Sequence, residues 1–307
     1  MNDRRAFLGG SDVAGVLGLS PWASPWSVYA EKVGLVDDSF DESERLALGK
    51  DAEHYLSAVF TRRHPDLYLG GAQAELTHPD YPWLRGHADG FVLESPDSDV
   101  SDAIAGWEAK TDNSLKPWES VPVYYQCQAQ TYMLLTGLPE WRFTVGFAGW
   151  RVEEYLLLAD ENDQRLIVER TREFWERHVL TGDPPPVDDH PATTTALNHA
   201  WPDAESDPPV EADEELVAVV RELDAVRAHI RADKKRAEAL ENIVKARLQD
   251  RTELVYDGAL VCSWRPQERR GLDAARVRAE HGDAYDTHST FRKMLTHLPK
   301  KERQPTP

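Results

Sequence analysis

The stretch Gly106-Trp107-Glu108-Ala109-Lys110 sets an acidic and a basic side chain two residues apart inside an otherwise apolar run. Side chains of a strand alternate between faces, so an extended backbone aims Glu108 and Lys110 at the same face. That pairing predicts a catalytic face. The plainer alternative is an exposed ion pair on an edge strand, and the partners supplied by the rest of the chain decide between the two.

Immediately upstream, Trp83 to Leu93 reads as a strand-like run containing His87-Ala88-Asp89-Gly90, followed by the polar loop Ser95 to Asp102 and the run Ile104 to Lys110. The two runs predict an antiparallel hairpin in which Asp89 and Glu108 converge at one end. Asp-Gly is also a common turn pair, but the apolar residues around Asp89 argue against a simple exposed turn. Another strand is expected over Gln73 to Thr77. Before it, a helix from about Glu42 to His64 carries Leu46, Gly49, Glu53, Leu56 and Phe60 at alternating three- and four-residue steps, one inward-facing stripe. A carboxylate on such a stripe is costly to bury unless it is paired or coordinates a cation, which makes Glu53 a functional candidate, with a structural salt bridge as the alternative.

Downstream, Pro122 to Gly137 reads as a helix ending at its glycine, with Gln126 and Gln130 one turn apart and Gln128 on another face. Glutamines there either orient a water or phosphate or lie at the surface. Trp141 to Gly149 and Arg151 to Leu158 form a second hairpin, and Asp160 caps a helix that runs to about Leu180 and stops at Gly182. The order of helices, strands, helix, strands and helix predicts an α/β domain on a central mixed sheet flanked by helices.

At the N-terminus, Gly9-Gly10 precede Ser11, a plausible helix N-cap, with Arg4 and Arg5 nearby. A capped helix start with close-approach glycines would make an anion site; an ordinary capped helix with solvated arginines is the alternative. Ser24-Pro25 opens a second helix that closes at Gly34. The proline-rich, aperiodic stretch 183–211 reads as a linker or strap between a domain over residues 1–182 and a unit over 212–307. In that last unit Leu216, Val219, Leu223, Val226, Ile230, Ala237, Leu240 and Val244 keep a heptad spacing that Asp233 interrupts, predicting one long helix or a helical hairpin. A β-hairpin with an Asp257-Gly258 turn, a short helix around Phe291 to His297 and a basic tail follow.

The composition, 41% hydrophobic and 29% charged over 307 residues, is that of a soluble globular protein. No run approaches the ~18 apolar residues of a membrane span, and the polar start has no apolar signal core behind it, so a cytoplasmic protein is expected. Cys127 and Cys262 are too few and too far apart for a disulfide framework or a cysteine-rich metal cluster. The net charge of −19 argues against a protein that coats nucleic acid, because an acidic surface repels a duplex. It leaves open a metal-dependent enzyme that acts on DNA in a confined channel.

Two or three carboxylates suit Mg²⁺, a hard cation that demands oxygen ligands and keeps several waters. Asp89, Glu108 and the backbone carbonyl of Ala109, with Glu53 as a further candidate, are the ligands the pattern offers. A water made more acidic there would attack a phosphodiester, with Lys110 orienting it and stabilising the developing charge.

The Asp…Glu-x-Lys arrangement resembles the PD-(D/E)XK nuclease motif, and its surroundings are similar to the YqaJ-type viral recombinase family, relatives of phage lambda exonuclease. Matching features are Gly9-Gly10-Ser11-Asp12 with Leu17-Gly18-Leu19-Ser20-Pro21, Gly49-x-x-x-Glu53, Gln128-Ala129-Gln130 ending in Thr136-Gly137, and Phe174-Trp175 before Asp183-Pro184-Pro185-Pro186-Val187. They cover about residues 4 to 190. The tail, with its long helix, hairpin and Phe291-Arg292 segment, matches more weakly. Ala88 stands where the motif usually has proline, and the loop between Asp89 and Glu108 is long.

The resemblance implies a restriction-endonuclease-like core with metal ligands at Glu53, Asp89 and Glu108. It also implies a catalytic Lys110, an active-site Gln128, and a 5′-phosphate pocket matched best by Arg4, Arg5 and Ser11. The implied activity is a Mg²⁺-dependent 5′→3′ exonuclease, with Mn²⁺ able to substitute, that acts on duplex DNA ends. Its 3′ overhangs would pass to a single-strand annealing protein of the RecT/Beta type. The resemblance further implies a phage or prophage origin in a bacterial host and a homo-oligomeric ring such as a trimer, whose basic channel would reconcile DNA chemistry with an acidic exterior. Competing readings are a RecB-like repair or defence nuclease of other polarity, many of which need four cluster-binding cysteines that this chain lacks, and a catalytically inactive DNA-end-binding scaffold.

Overall fold

The computed structural model describes residues 4–36, 44–149, 151–202, 209–268, 274–282 and 294–295, with side chains left aside at 44–47 and 274–275. The chain divides into two units, Met1–Pro202 and Asp203–Pro307. In the first, a short strand β1 (Leu8–Gly9) leads into α1 (Gly10–Val16), α2 (Pro25–Lys32) and α3 (Glu44–Arg63), then β2 (Tyr68–Gly70), β3 (Ala74–Thr77), β4 (Leu84–Ala88), β5 (Gly90–Leu93) and β6 (Ala105–Asp112). The helix α4 (Val123–Thr136), the strands β7 (Glu140–Phe147) and β8 (Arg151–Leu158), and the helices α5 (Glu161–Phe174) and α6 (Pro191–Ala200) complete it.

The sheets explain how these elements sit. Five strands run in the order β2-β5-β6-β7-β8, and three others in the order β1-β4-β3. In the larger sheet β6 and β7 are parallel while the remaining pairs are antiparallel, so the sheet is mixed, and α4 is the crossover that a parallel pair requires. The run Trp83 to Leu93, which reads as one strand in the sequence, is two: β4 belongs to the smaller sheet and β5 to the larger, with Asp89 at the bend between them. The apolar pattern continues unbroken through the change of sheet because both strands are buried, so periodicity alone does not reveal the break.

β6 lies at the centre with both faces covered, as its apolar composition demands. Ala105, Trp107 and Ala109 pack with Leu56 and Phe60 of α3. On the other face the core is built from Phe91, Tyr132, Met133, Trp141, Phe143, Val145 and Phe147. Gly106, Glu108 and Lys110 alternate onto that second face, beside Trp141, Phe143 and Val145 in the parallel register. Trp107 also anchors its own face by donating from Nε1 to Thr144 Oγ1 at 2.9 Å.

The helix ends follow local chemistry. Ser24 caps α2, accepting from Ser27 N, with Pro25 at the first helical position. α4 ends at Gly137, whose φ of +73° is the left-handed conformation that glycine adopts without a Cβ penalty. Asp160 caps α5 by accepting from the backbone of Asn162 and Asp163, and that helix continues as a π-helical turn, Trp175–Val179. Two sequence expectations are corrected. Ser11 is not an N-cap: Gly9 holds that position and Ser11 lies within the first turn of α1. The stretch read as a linker contains α6, whose Ala196 packs with Trp26 and Ala30 of α2, so part of the proline-rich segment joins the first unit.

In the second unit α7 (Glu214–Leu248) is one continuous helix, capped by Asp213, with Leu216, Val219, Val226, Ile230 and Leu240 about half exposed. β9 (Glu253–Tyr256) and β10 (Ala259–Ser263) pair antiparallel. Asp257 and Gly258 between them both have positive φ, 51° and 75°, the pattern of the tight hairpin turn that Asp-Gly favours. The terminal helix expected at Phe291 to His297 lies outside the described residues except at 294 and 295, which are not helical, and a helix the sequence reading omitted, α8 (Ala274–His281), precedes it. Among the described residues no helix is long and apolar enough to cross a membrane.

The contact between β6 and β7 is tight enough to test. A Cβ on Gly106 would be driven into the fully buried indole of Trp141 on the neighbouring strand. Gly106→Ala should therefore destabilise the first unit by about 1–3 kcal/mol. Calorimetry should show this as a melting temperature lower by several degrees, on the order of 2–4 °C per kcal/mol for a unit of this size.

Candidate active site

Glu108 and Lys110 do share a face, and Lys110 Nζ donates to Glu108 Oε1 at 2.7 Å. The pair is buried, with the Glu108 side chain 3% and the Lys110 side chain 18% exposed. Gln128 of α4 donates from Nε2 to the same Glu108 oxygen at 2.9 Å and to Tyr132 Oη at 2.9 Å. Glu108 Oε1 is thus doubly bonded, whereas Oε2 is buried without a hydrogen-bond partner. A buried carboxylate oxygen left bare is costly unless a cation or a proton comes to it.

Asp89 reaches the site from the bend between β4 and β5. The β5–β6 register places Gly90 opposite Trp107 and Phe91 opposite Gly106, so continuing it sets Asp89 opposite Glu108. The ladder ends there, and Asp89 Oδ2 accepts the Ala109 N–H at 3.0 Å in place of a strand carbonyl. The N–H and C=O of a strand residue point to the same side, so the Ala109 carbonyl also faces Asp89.

The electrostatics follow from burial. Desolvation pushes the Glu108 carboxyl up to about 7, opposed by Lys110 and reinforced by Asp89. Asp89 is also raised by burial, against the pull of Lys110 and the Ala109 N–H. Burial disfavours the charge on Lys110, but Glu108 and Asp89 outweigh it and the ammonium is held above its ordinary range. Glu53 is raised by burial and then by Asp89, with Lys110 acting oppositely, so its carboxylate feels the same cluster.

The structure therefore brings Asp89, Glu108, Ala109, Lys110 and Gln128 together, with Glu53 in electrostatic range. Among the described residues no three Asp, Glu, His or Cys side chains form a group able to hold a metal ion, and Glu53 stands within electrostatic range of Asp89 and Glu108. α3 packs on the Trp107 and Ala109 face of β6, whereas Glu108 points to the α4 face, and Asp89 and Glu108 are already turned to Ala109 and Lys110. What the edge of β6 offers is two carboxylates, one of them with its Oε2 bare, and a strand carbonyl. That set fits a hard cation of the Mg²⁺ type, which commonly takes one or two carboxylates and completes its shell with waters and substrate oxygens.

The expected anion site falls at the start of α1. Asp12 accepts the Gly9 N–H at 2.8 Å and pairs with the buried Lys32 Nζ at 2.7 Å, and Arg4 lies 4.0 Å from it. Negative charge at the start of α1 is thus supplied by the chain itself. Ser11 is exposed, and Gly10 is packed against the Tyr132 ring, with no room for a Cβ.

Sequence reasoning missed Tyr125, Tyr132 and Gln73. Lys110 Nζ lies 4.9 Å from the centroid of the Tyr125 ring. Tyr125 and Tyr132 stand three residues before and four after Gln128, a spacing that puts all three on one face of α4, so that signal was present. Gln73 Nε2 stands 3.5 Å from Asp89 Oδ1, with its backbone at a φ of +59°, and nothing in its neighbouring residues marks it.

The chain resembles known proteins. Residues 1–139 match the model of the YqaJ-like viral recombinase domain. The protein YqaJ of Bacillus subtilis (strain 168) is 26% identical over 289 residues, covering 92% of this chain and 88% of that relative. Among solved structures, the alkaline exonuclease LHK-Exo from Laribacter hongkongensis is 16% identical, covering 59% of this chain and 91% of its own at a TM-score of 0.43. A phage-related exonuclease from Haemophilus somnus 129PT is 10% identical, covering 57% of this chain and 96% of its own at a TM-score of 0.42.

The raised carboxyl of Glu108 has a measurable consequence. Its folded-state value of about 7 lies above the ordinary 4.5, so the folded chain holds this proton more tightly than the unfolded chain. Stability should fall as pH rises through that window, by at most on the order of 3 kcal/mol. Lys110, raised, contributes evenly below its ordinary value of 10.5 and adds no slope there. Chemical denaturation in EDTA from about pH 5 to about pH 8 should show the decline, and Glu108→Gln should flatten most of it.

Proposed function

We propose that the protein, whose residues 1–139 match the model of the YqaJ-like viral recombinase domain, is a metal-dependent exonuclease acting on the ends of duplex DNA. The observation that carries this reading is the buried Glu108 with one oxygen bonded to Lys110 and Gln128 and the other bare, with Asp89 held by the backbone N–H of the next strand residue, Ala109.

On this reading Asp89, Glu108 and the Ala109 carbonyl hold a divalent cation, Mg²⁺ or Mn²⁺, with Glu53 facing the same cluster. When bound, that ion supplies charge that polarises a phosphoryl oxygen and makes a coordinated water more acidic. The chain's own groups do the rest. Lys110, fixed by Glu108 and by the face of Tyr125, brings a permanent positive charge to the developing negative charge on the scissile phosphate. Gln128 holds the Glu108 carboxylate in one orientation by bonding the oxygen that Lys110 also uses. Burial of the cluster keeps bulk water from screening these interactions.

The finer reading is 5′→3′ polarity, with the 5′ phosphate assigned to Arg4, Arg5 and Ser11 and with 3′ overhangs passed to a single-strand annealing protein. A homo-oligomeric ring with a basic channel accounts for a chain of net charge −19 acting on DNA, because only the channel lining need attract phosphate. The domain reading that goes with it is a nuclease domain followed by an accessory unit built on α7 and its hairpin.

The test is digestion of linear duplexes bearing 5′-phosphate or 5′-hydroxyl, with and without Mg²⁺. Cleavage should require the ion and the free end and should be faster from the 5′-phosphate. Glu108→Ala and Asp89→Asn should each lower the rate by roughly 10²–10³-fold or more while leaving the circular dichroism unchanged. Retention of Mg²⁺-dependent cleavage by Glu108→Ala would sink the reading.

A further inference from the structure

Beside Lys110 lies a cleft that the proposed function leaves unused. It has a volume of about 580 Å³ and is walled by Trp22, by Tyr124 and Tyr125 of α4, and by Thr111, Asp112 and Asn113 at the end of β6. That volume falls within the range of small-molecule sites, roughly 300–1,000 Å³.

Trp22 is 58% exposed, a large ring held in solvent beside the cleft. Its position is nonetheless defined. The backbone N–H groups of Trp22 and Ala23 both donate to Ser20 Oγ at 3.1 Å. The Trp22 ring meets Tyr124 edge-on with centroids 4.7 Å apart, and Tyr124 meets Tyr125 at 4.5 Å. Tyr125 in turn lies beneath Lys110 Nζ. The three rings thus form a continuous aromatic wall that begins at the buried ion pair and ends at an exposed face.

The charge distribution selects the occupant. None of the described residues lining the cleft is Lys, Arg or His, and its one carboxylate, Asp112, already accepts from Ser114 N at 2.7 Å and Trp118 Nε1 at 2.6 Å. A phosphate meets no cationic side chain among these lining residues and a carboxylate to avoid. A neutral, flat, π-faced group fits, and Lys110, over the Tyr125 ring, places a cation against the aromatic wall. A cation beside an aromatic wall matches the two ends of a nucleotide, phosphate and base. Base stacking on such a wall is worth enough to hold a nucleotide out of a duplex, and it is tolerant of sequence because every base has a π-face.

We propose that this cleft receives an unpaired nucleobase of the strand being cut, stacked on Trp22 and backed by Tyr124 and Tyr125. The cleft thereby holds that nucleotide apart from its complement. This inference rests on the nuclease reading above, and it adds the unpaired base as a recognised feature.

The full chain in EDTA, titrated with 5′-phosphorylated single-stranded oligonucleotides and followed by fluorescence anisotropy, provides the test. Probes carry either natural bases or an abasic sugar at one of the first few positions in turn. At one position, removing the base should weaken binding to the wild type roughly 5- to 100-fold. Trp22→Ala should lose that discrimination, binding natural and abasic probes within about twofold of each other, whereas Trp22→Phe, which keeps a ring, should retain most of it. Because Trp22 is largely exposed, neither substitution opens the core. Discrimination unchanged in Trp22→Ala, or equal weakening toward natural and abasic probes, overturns the inference. Cleavage of a linear duplex by the wild type is measured alongside: its absence overturns the nuclease reading itself, whereas cleavage without any base-dependent binding overturns only the cleft.

Discussion

Where β5 stops pairing with β6, the next strand N–H, that of Ala109, would be left without a carbonyl to bond, inside a protein interior where an unmade backbone bond is expensive. Asp89 supplies the missing acceptor. It can do so because it sits at the bend where the chain leaves one sheet and enters the other. That hydrogen bond ends the ladder, joins the two sheets at one point, and holds a carboxylate against the backbone of β6 one residue from Glu108. The fold and the acidic edge of the site are consequences of the same contact.

Charge in the middle of a two-faced buried strand needs compensation, and the structure supplies it incompletely. Lys110 and Gln128 satisfy one oxygen of Glu108, and Tyr132 braces Gln128 while packing against Gly10 of α1. The N-terminal helix thereby supports the site through α4 rather than through a contact of its own. The second Glu108 oxygen is left bare. Everything around it is apolar or already committed, so the carboxyl resists ionisation until something positive arrives.

The two faces of β6 also divide the labour. On the α3 face Trp107 and Ala109 are packed into an ordinary apolar core, and Glu53 looks toward the cluster from that side. On the α4 face lie the polar groups, and beyond Lys110 the aromatic wall of Tyr125, Tyr124 and Trp22. A buried carboxylate, a positive charge and an aromatic-walled cleft therefore follow one another from the strand to solvent.

Much of this was legible in the amino-acid order. Alternation along Gly106 to Lys110 placed Glu108 and Lys110 on one face, the pairing of two apolar runs brought Asp89 and Glu108 to one end of a hairpin with the register left open, and the capping and glycine signals marked the ends of α2, α4 and α5. These are local rules, set by covalent geometry and by hydrogen bonds a few residues apart, so a single chain carries them in full. The division of Trp83 to Leu93 between two sheets was not legible, because burial on both sides keeps the pattern apolar whichever neighbour each half pairs with. Nor was the start of α1, where Gly9 is the N-cap and Asp12, held by Lys32 on another helix, accepts its N–H, nor α6 within a proline-rich stretch, which is packed against Trp26. Which of Glu53, Asp89 and Glu108 share a space, and which oxygen is left without a partner, depend on which helix covers which face of β6, and only the assembled tertiary structure decides that.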